Sequence, residues 1–241
     1  MKIVLITGAS GVIGGACAKA LSKKGYALAL QYNTHPERAQ SLANSLSDET
    51  PVLTCPSDIT QKAAVSALYR TIETRLGYVD LLVNCAGVSL PQKVLADVSV
   101  AEMDMVYAVN VKGAMLLTQE AIPHMLKKEG GAILHISSMW GITGGSCEAV
   151  YSASKGALNG FVKAMAKELA PAHIRVNAVA PGLVPSPMNA SLDEQALAAF
   201  QQETPLGKLV TPEQVSDAVC YLAEAHMVTG QILSVDGGIV I

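Results

Sequence analysis

Lys2-Ile-Val-Leu-Ile-Thr-Gly-Ala-Ser-Gly-Val-Ile-Gly14 is the stretch on which the reading of this chain turns. A short β-branched apolar run ends in a glycine cluster, Thr7–Gly14, that passes directly into a helical pattern from Val12 to Lys24. Glycines at such a junction permit a tight turn and let the backbone approach a ligand closely. The unpaired N–H groups and positive dipole of the helix start then favour a pyrophosphate. Gly8, Ser10, Gly11, Val12, Ile13 and Gly14 are therefore candidate dinucleotide contacts. No Gly-Lys-Ser or Gly-Lys-Thr closes the loop, which argues against a nucleoside-triphosphatase P-loop.

Outward from that junction, short apolar runs alternate with longer amphipathic ones. Strands are expected at Lys2–Ile6, Ala27–Gln31, Val52–Cys55, Leu81–Val83, Ala132–Ile136, Arg175–Ala178 and Ile232–Val235. Helices are expected at Val12–Lys24, Pro36–Ser47, Gln61–Leu76, Ala101–Lys128, Tyr151–Ala170 and Pro212–Ala223. This order predicts an α/β fold: one Rossmann-like, doubly wound parallel sheet of seven strands in a single domain, 1–241. Pro181, Pro185, Pro187 and Pro205 interrupt the alternation, so about 183–208 reads as an irregular insertion at the carboxyl ends of the strands, a candidate substrate lid.

Composition narrows the function. Of 241 residues half are hydrophobic and 15% charged, which excludes disorder, and a net charge of -3 without a basic stripe excludes a nucleic-acid surface. Cys17, Cys55, Cys85, Cys147 and Cys220 are scattered and odd in number, as in a reducing compartment. No apolar run reaches the roughly 18 residues of a membrane span, and a cytoplasmic protein is expected. His35, His124, His135, His173 and His226 lack metal-ligand spacing, so no metal site is expected and each histidine reads as incidental or superficial.

Tyr151 and Lys155 stack on one helix face, one turn apart. A phenol is a poor acid or base near neutrality, and a fixed cation beside it would favour the phenolate. The pair hints at proton transfer, although the same spacing occurs on many solvated helices. The cofactor's identity turns on the end of the second strand, Gln31-Tyr-Asn-Thr-His-Pro36, where an acid would bind the ribose of NAD. Here no carboxylate appears before Glu37. Tyr32, Asn33 and Thr34 offer neutral partners and Arg38 could reach a 2′-phosphate, so NADP(H) is expected.

Taken in order, Thr7–Gly14, Asp58, Asn84-Cys-Ala-Gly87, Asn110 in Val-Asn-Val-Lys-Gly, Ser138, Tyr151 with Lys155, and Pro181-Gly182 resemble the short-chain dehydrogenase/reductase family over the whole chain. The resemblance implies that Ser138 hydrogen-bonds a substrate carbonyl, Tyr151 protonates it, Lys155 holds the nicotinamide ribose and lowers the tyrosine pKa, and Asn110 anchors a relay water. It further implies that Asp58 meets the adenine beside Ile59, that Asn84, Ala86 and Gly87 line the cofactor cleft, and that Val184 and Ser186 follow Pro181-Gly182 to the nicotinamide amide. A cap for the next helix is the plain alternative for Asp58, and an interstrand tie the alternative for Asn84. Two departures stand out. Val12 occupies the loop's usual middle-glycine position, where a β-branched side chain would crowd it, and Gly11 stands where many NADP-dependent members carry arginine.

Length, the Tyr151–Lys155 segment, Val176–Gly182 and the Asp236-Gly-Gly ending are most similar to bacterial 3-oxoacyl-acyl-carrier-protein reductases of fatty acid biosynthesis. That resemblance implies a small-molecule or carrier-bound acyl substrate and acyl carrier protein as partner. Glu129 and Ala172, however, replace arginines that typically dock the acidic carrier, with Lys127, Lys128 and Arg175 nearby to compensate. Ser137-Ser-Met-Trp-Gly141 with Gly145–Ala149 resembles instead a bacterial group thought to reduce a ketone on a modified lysine of elongation factor P, Trp140 and Cys147 shaping the pocket. A non-catalytic NADP sensor is the rival from another class, although such sensors usually lose the Tyr and Lys. The long helices 101–128 and 151–170 imply, by the same resemblance, a homotetramer.

Overall fold

The computed structural model describes residues 1–46, 49–189 and 192–240. Seven parallel strands form one sheet: β1 Ile3–Thr7, β2 Ala27–Tyr32, β3 Val52–Pro56, β4 Leu81–Asn84, β5 Gly131–Ile136, β6 Ile174–Pro181 and β7 Ile232–Val235. Their order is β3-β2-β1-β4-β5-β6-β7. Because the chain returns from the β3 edge to lay β4 beside β1, the carboxyl ends of β1 and β4 flank the switch point, where an open α/β sheet has its crevice.

Alternation along each strand sends side chains to two apolar layers. Leu5, Ala29, Leu82, Ile133 and Val176 face one way, against α3 (Lys62–Arg75), α5 (Ala114–Lys127) and α7 (Ala149–Leu169). Val4, Ile6, Leu28, Leu30, Val83 and Leu134 face the other, against α1 (Val12–Lys23) and α9 (Pro212–Glu224). The central strands are thus buried on both faces. Truncating one of these, such as Leu82→Ala, would cost roughly 2–5 kcal/mol through lost transfer energy and the cavity left behind.

The remaining helices are α2 (Pro36–Asn44), α4 (Val100–Tyr107), α6 (Trp140–Thr143) and α8 (Glu194–Glu203). The long helix expected at Ala101–Lys128 is corrected to three pieces: α4 under a Ser99/Glu102 capping box, a π turn at Ala108–Gly113, and α5. The supposedly irregular 183–208 segment contains α8, started by Asp193, whose Oδ1 accepts from Ala196 N at 2.7 Å. Ser47 of the expected second helix, and Ala190 and Ser191 of the expected lid, lie outside the described residues. Among the described residues no helix is long and apolar enough to cross a membrane.

Candidate active site

The glycine loop takes its shape from two positions. Gly8 has φ +62, and a Cβ there would lie 2.9 Å from the Ala86 backbone. A Cβ on Gly14 would collide with the Gly8 carbonyl oxygen and sit 2.9 Å from Ala9 Cα. The turn after β1 thus packs directly on the turn after β4. Val12 crowds nothing: it is exposed on the first turn of α1, and Ser10, Gly11 and Ile13 are likewise accessible or half-buried. Gly11 is the N-cap, no side chain caps the helix, and its first turn holds no acid. The leading N–H groups of α1 are left for an external anion, so this cradle fits a pyrophosphate.

Gln31, which the sequence reading valued only for not being an acid, braces that cradle. It is buried, its Oε1 accepts from Gly8 N at 3.0 Å, and its Nε2 donates to Ser57 O at 2.6 Å. The loop is therefore tied to the ends of β2 and β3 together. Tyr32 is half-buried beyond it, and Asn33, Thr34 and Arg38 are exposed, Arg38 without an ion pair among the described residues. Asp58 caps its own turn, accepting from Thr60 N at 2.9 Å and Thr60 Oγ1 at 2.8 Å. Ile59 is buried in the core against Gly113.

Across the carboxyl ends of β1, β4 and β5 runs a buried polar row. Thr7 Oγ1 donates to Asn84 Oδ1 at 2.6 Å, Asn84 Nδ2 lies 3.2 Å from His135 Nδ1, and His135 Nε2 lies 3.3 Å from Thr118 Oγ1. Asn84 is thereby engaged as an interstrand tie. Burial, seconded by the nearby Lys155, pushes His135 down to about 3. A neutral ring follows, protonated on Nε2 with Nδ1 accepting from Asn84. The expectation that all histidines are incidental or superficial is thus corrected for His135, and for His124, which is buried between Tyr69 and Tyr78 and accepts from Val79 N at 3.3 Å.

Asn110 sits inside the π turn with 1% of its surface exposed. Its Oδ1 accepts from Val88 N at 2.8 Å, and its Nδ2 donates to Val88 O at 2.9 Å and Ser154 Oγ at 3.0 Å. The extra residue of a π turn swings this amide away from the helix ladder toward the β4 loop. A Cβ on Gly87 would lie 3.4 Å from both Asn110 Oδ1 and Lys155 Nζ, so loop, asparagine and lysine converge.

Ser138, Tyr151 and Lys155 line a single cavity of about 420 Å³ with Ile13 and Gly87. Pro181, Gly182, Val184 and Ser186 complete its β6 side. Ser137 also borders it, but its hydroxyl is spent on Asn159 Oδ1 at 2.6 Å, whereas Ser138 Oγ accepts from Trp140 N at 3.2 Å and is hydrogen-bonded to Tyr151 inside the cavity. Trp140 is wedged against Gly145, where a Cβ would meet its ring at 2.8 Å, and stands edge-on to Phe200 of α8 at 6.3 Å. Lys155 Nζ donates to Ile136 O at 2.7 Å and lies 5.6 Å from the Tyr151 ring centroid.

Electrostatically the site differs from expectation. Burial pushes Tyr151 up to about 12, opposed by a hydrogen bond with Ser138 and assisted by the charge of Glu148. Burial likewise brings Lys155 down to about 8. The expected lowering of the tyrosine by the lysine is not seen: desolvation of the phenol sets the sign, and the opposing group is Ser138. Glu148 and Phe200, both at the cavity, escaped the sequence reading. Nothing in local sequence marks either, because α8 and the Glu148 turn reach the cavity only through tertiary packing.

A family model described as enoyl-(acyl carrier protein) reductase matches residues 8–240. The chain is 39% identical over 241 residues to the uncharacterized oxidoreductase YmfI of Bacillus subtilis, spanning 98% of each. It is 35% identical over 244 residues to the 3-oxoacyl-[acyl-carrier-protein] reductase FabG of Thermotoga maritima, spanning 100% of this chain and 98% of that one. Among solved structures, a double mutant of a Serratia marcescens short-chain dehydrogenase/reductase superposes with a TM-score of 0.93 at 35% identity, over 100% of this chain and 98% of that one. The 3-ketoacyl-(acyl-carrier-protein) reductase of Brucella melitensis, complexed with NADH, gives 0.92 at 32% identity with the same coverage. With the fold, the glycine cradle and the Ser–Tyr–Lys cavity in place, these likenesses identify the chain as a member of the short-chain dehydrogenase/reductase family, nicotinamide-dependent oxidoreductases that act on a carbonyl/alcohol pair.

Proposed function

We propose that this protein reduces a ketone to an alcohol with NADPH, and that its substrate class is the 3-oxoacyl thioester. The observation that carries the reading is the convergence of Ser138, Tyr151 and Lys155 on one cavity at the carboxyl ends of the strands, beside the glycine cradle. When bound, the reduced nicotinamide supplies the hydride. Ser138 and Tyr151 donate hydrogen bonds to the ketone oxygen, where negative charge gathers as the carbonyl is attacked. Tyr151, held near 12, is fully protonated at neutral pH and delivers its proton to that oxygen, which suits reduction better than oxidation. Lys155 is fixed by Ile136 O, positioned to hold the ribose and to steady the charge on Tyr151 after proton loss. Asn110, its amide committed to Val88 and Ser154, fixes the β4 loop and α7 around the place where the relay water would sit.

The uncapped α1 amides hold the pyrophosphate. Asp58 and Ile59, with Tyr32, Asn33 and Thr34, flank the adenosine half, and unpaired Arg38 meets the 2′-phosphate. Segment 183–208 acts as the substrate lid, α8 closing the cavity through Phe200. Exposed Met105, Tyr107 and Met115 on α4 and α5 supply apolar surface for a homotetramer. NADPH oxidation with an acetoacetyl thioester tests the reading. Turnover with a clear preference over NADH supports it, and absence of turnover with any ketone leaves the NADP-sensor reading instead.

One observation favours the second substrate, a ketone on a modified lysine of elongation factor P. Glu129 and Ala172 precede β5 and β6 at the amino ends of the strands, opposite the cavity. Two of the three neighbouring cations are engaged elsewhere, Arg175 by the Leu222 and Ala223 carbonyls at 2.6 and 2.7 Å and Lys128 by Asp80 at 3.2 Å, which leaves the exposed Lys127 in place of two arginines. Faster turnover of the modified factor than of carrier-bound acetoacetate decides for it.

A further inference from the structure

Five titratable side chains line the cavity: Cys85, Glu148, Tyr151, Lys155 and Glu203. Among the described residues Lys155 is its one cation, and its ammonium is buried against Ile136 O. Glu148 is half-buried on the turn into α7, three residues before Tyr151, and its carboxylate has neither ion pair nor hydrogen bond among the described residues. Lys93, which shares a small adjoining pocket with Glu148, is committed to Glu102 at 2.6 Å. Burial alone moves the Glu148 carboxyl, upward, with no donor or cation offsetting it, and its charge is felt at the Tyr151 phenol. Glu203, at the end of α8, is exposed and therefore screened.

Hydride chemistry needs no carboxylate here. A partly desolvated negative charge beside the proton donor costs stability and makes Tyr151 harder to ionise. It does have one selective consequence. A ketone seated on Ser138 and Tyr151 brings its β-carboxyl group, two bonds from the reacting carbon, into the field of Glu148. When that group is esterified the field meets no charge; when it is a free carboxylate, like charges face each other across an apolar, partly desolvated space.

We propose that Glu148 is a specificity-determining residue that excludes anionic substrates, so that the cavity accepts esterified or thioesterified 3-oxo acids and rejects the free acids. The proposal rests on the carbonyl-reductase reading above. Its test compares kcat/KM for ethyl acetoacetate and for acetoacetate with saturating NADPH at pH 7, in the wild-type protein and in Glu148→Gln and Glu203→Gln. The wild type strongly prefers the ester. In Glu148→Gln the ester-to-acid ratio falls at least tenfold, equivalent to about 1.4 kcal/mol, while Glu203→Gln changes it little. An unchanged ratio in Glu148→Gln, or a wild type that uses both substrates equally, overturns the assignment. If Glu148→Gln does not fold, Glu148→Ala carries the same comparison. Failure of the wild type to reduce either compound would instead count against the reductase reading itself.

Discussion

The Lys155 ammonium donates to the Ile136 carbonyl at 2.7 Å, so the only cation lining the cavity among the described residues is held by the last residue of β5 and not by a carboxylate. Burial without a counter-charge explains why its pKa falls to about 8 from 10.5. A lysine that binds its proton more weakly when folded destabilises the native state below its folded pKa. Stability should therefore rise as pH climbs through 8 toward 10.5. The charged form at pH 7 costs up to about 3 kcal/mol, part of which the Ile136 bond already offsets. Lys155→Met is expected to be more stable at pH 7, with a Tm raised by roughly 2–6 °C, and at least about 100-fold less active. Calorimetry alongside initial rates checks both halves.

The same value predicts a pH profile. Ketone reduction should hold level through neutrality and decline above about 8 as Lys155 loses its proton, well before Tyr151 titrates near 12. The pH dependence of kcat/KM from pH 6 to 10, which reports groups of the free protein, reads this, and a profile rising steadily to pH 10 would contradict it.

Gln31 predicts a stability effect from a residue that touches no reacting atom. Gln31→Leu leaves the Gly8 N–H and Ser57 carbonyl without their buried partner, at a cost of about 2–4 kcal/mol. Loosening of the loop should also weaken NADPH affinity. Denaturant unfolding and fluorescence titration with NADPH measure the two effects separately.

Two adjacent glycines should respond in opposite directions. Gly14→Ala forces the loop apart, because its Cβ meets the Gly8 carbonyl and Ala9, and NADPH affinity should fall at least tenfold. Gly15→Ala meets only Ala9 O at 3.8 Å and, lying within α1, should stabilise the protein by about 0.5–1 kcal/mol. Thermal shift with and without NADPH separates them.

Much of this architecture is legible in the chain because it is local. The strand at Ile232–Val235 is observed over the same residues, and Pro36 and Pro212 start helices as expected. β6 runs on to Pro181 because Val179 and Ala180 continue into a strand covered on both faces, which a reading limited to Arg175–Ala178 cuts short. The break at Ala108–Gly113 was not legible, since it depends on the Val88 backbone meeting Asn110 across 22 positions of sequence. Gln31 and His135 look like incidental polar residues in apolar runs until the strands are laid side by side. Tyr151 and Lys155 were legible as a pair, but the direction of the tyrosine's shift depends on a burial that spacing alone does not reveal.

Tyr151 as the proton donor is the central claim, and Tyr151→Phe tests it most directly. With NADPH prebound and the ketone mixed in, single-turnover absorbance at the reduced-nicotinamide band should show hydride transfer slowed by at least about 1,000-fold while the Kd for NADPH changes less than threefold. A Tyr151→Phe protein that transfers hydride at the wild-type rate would contradict the account.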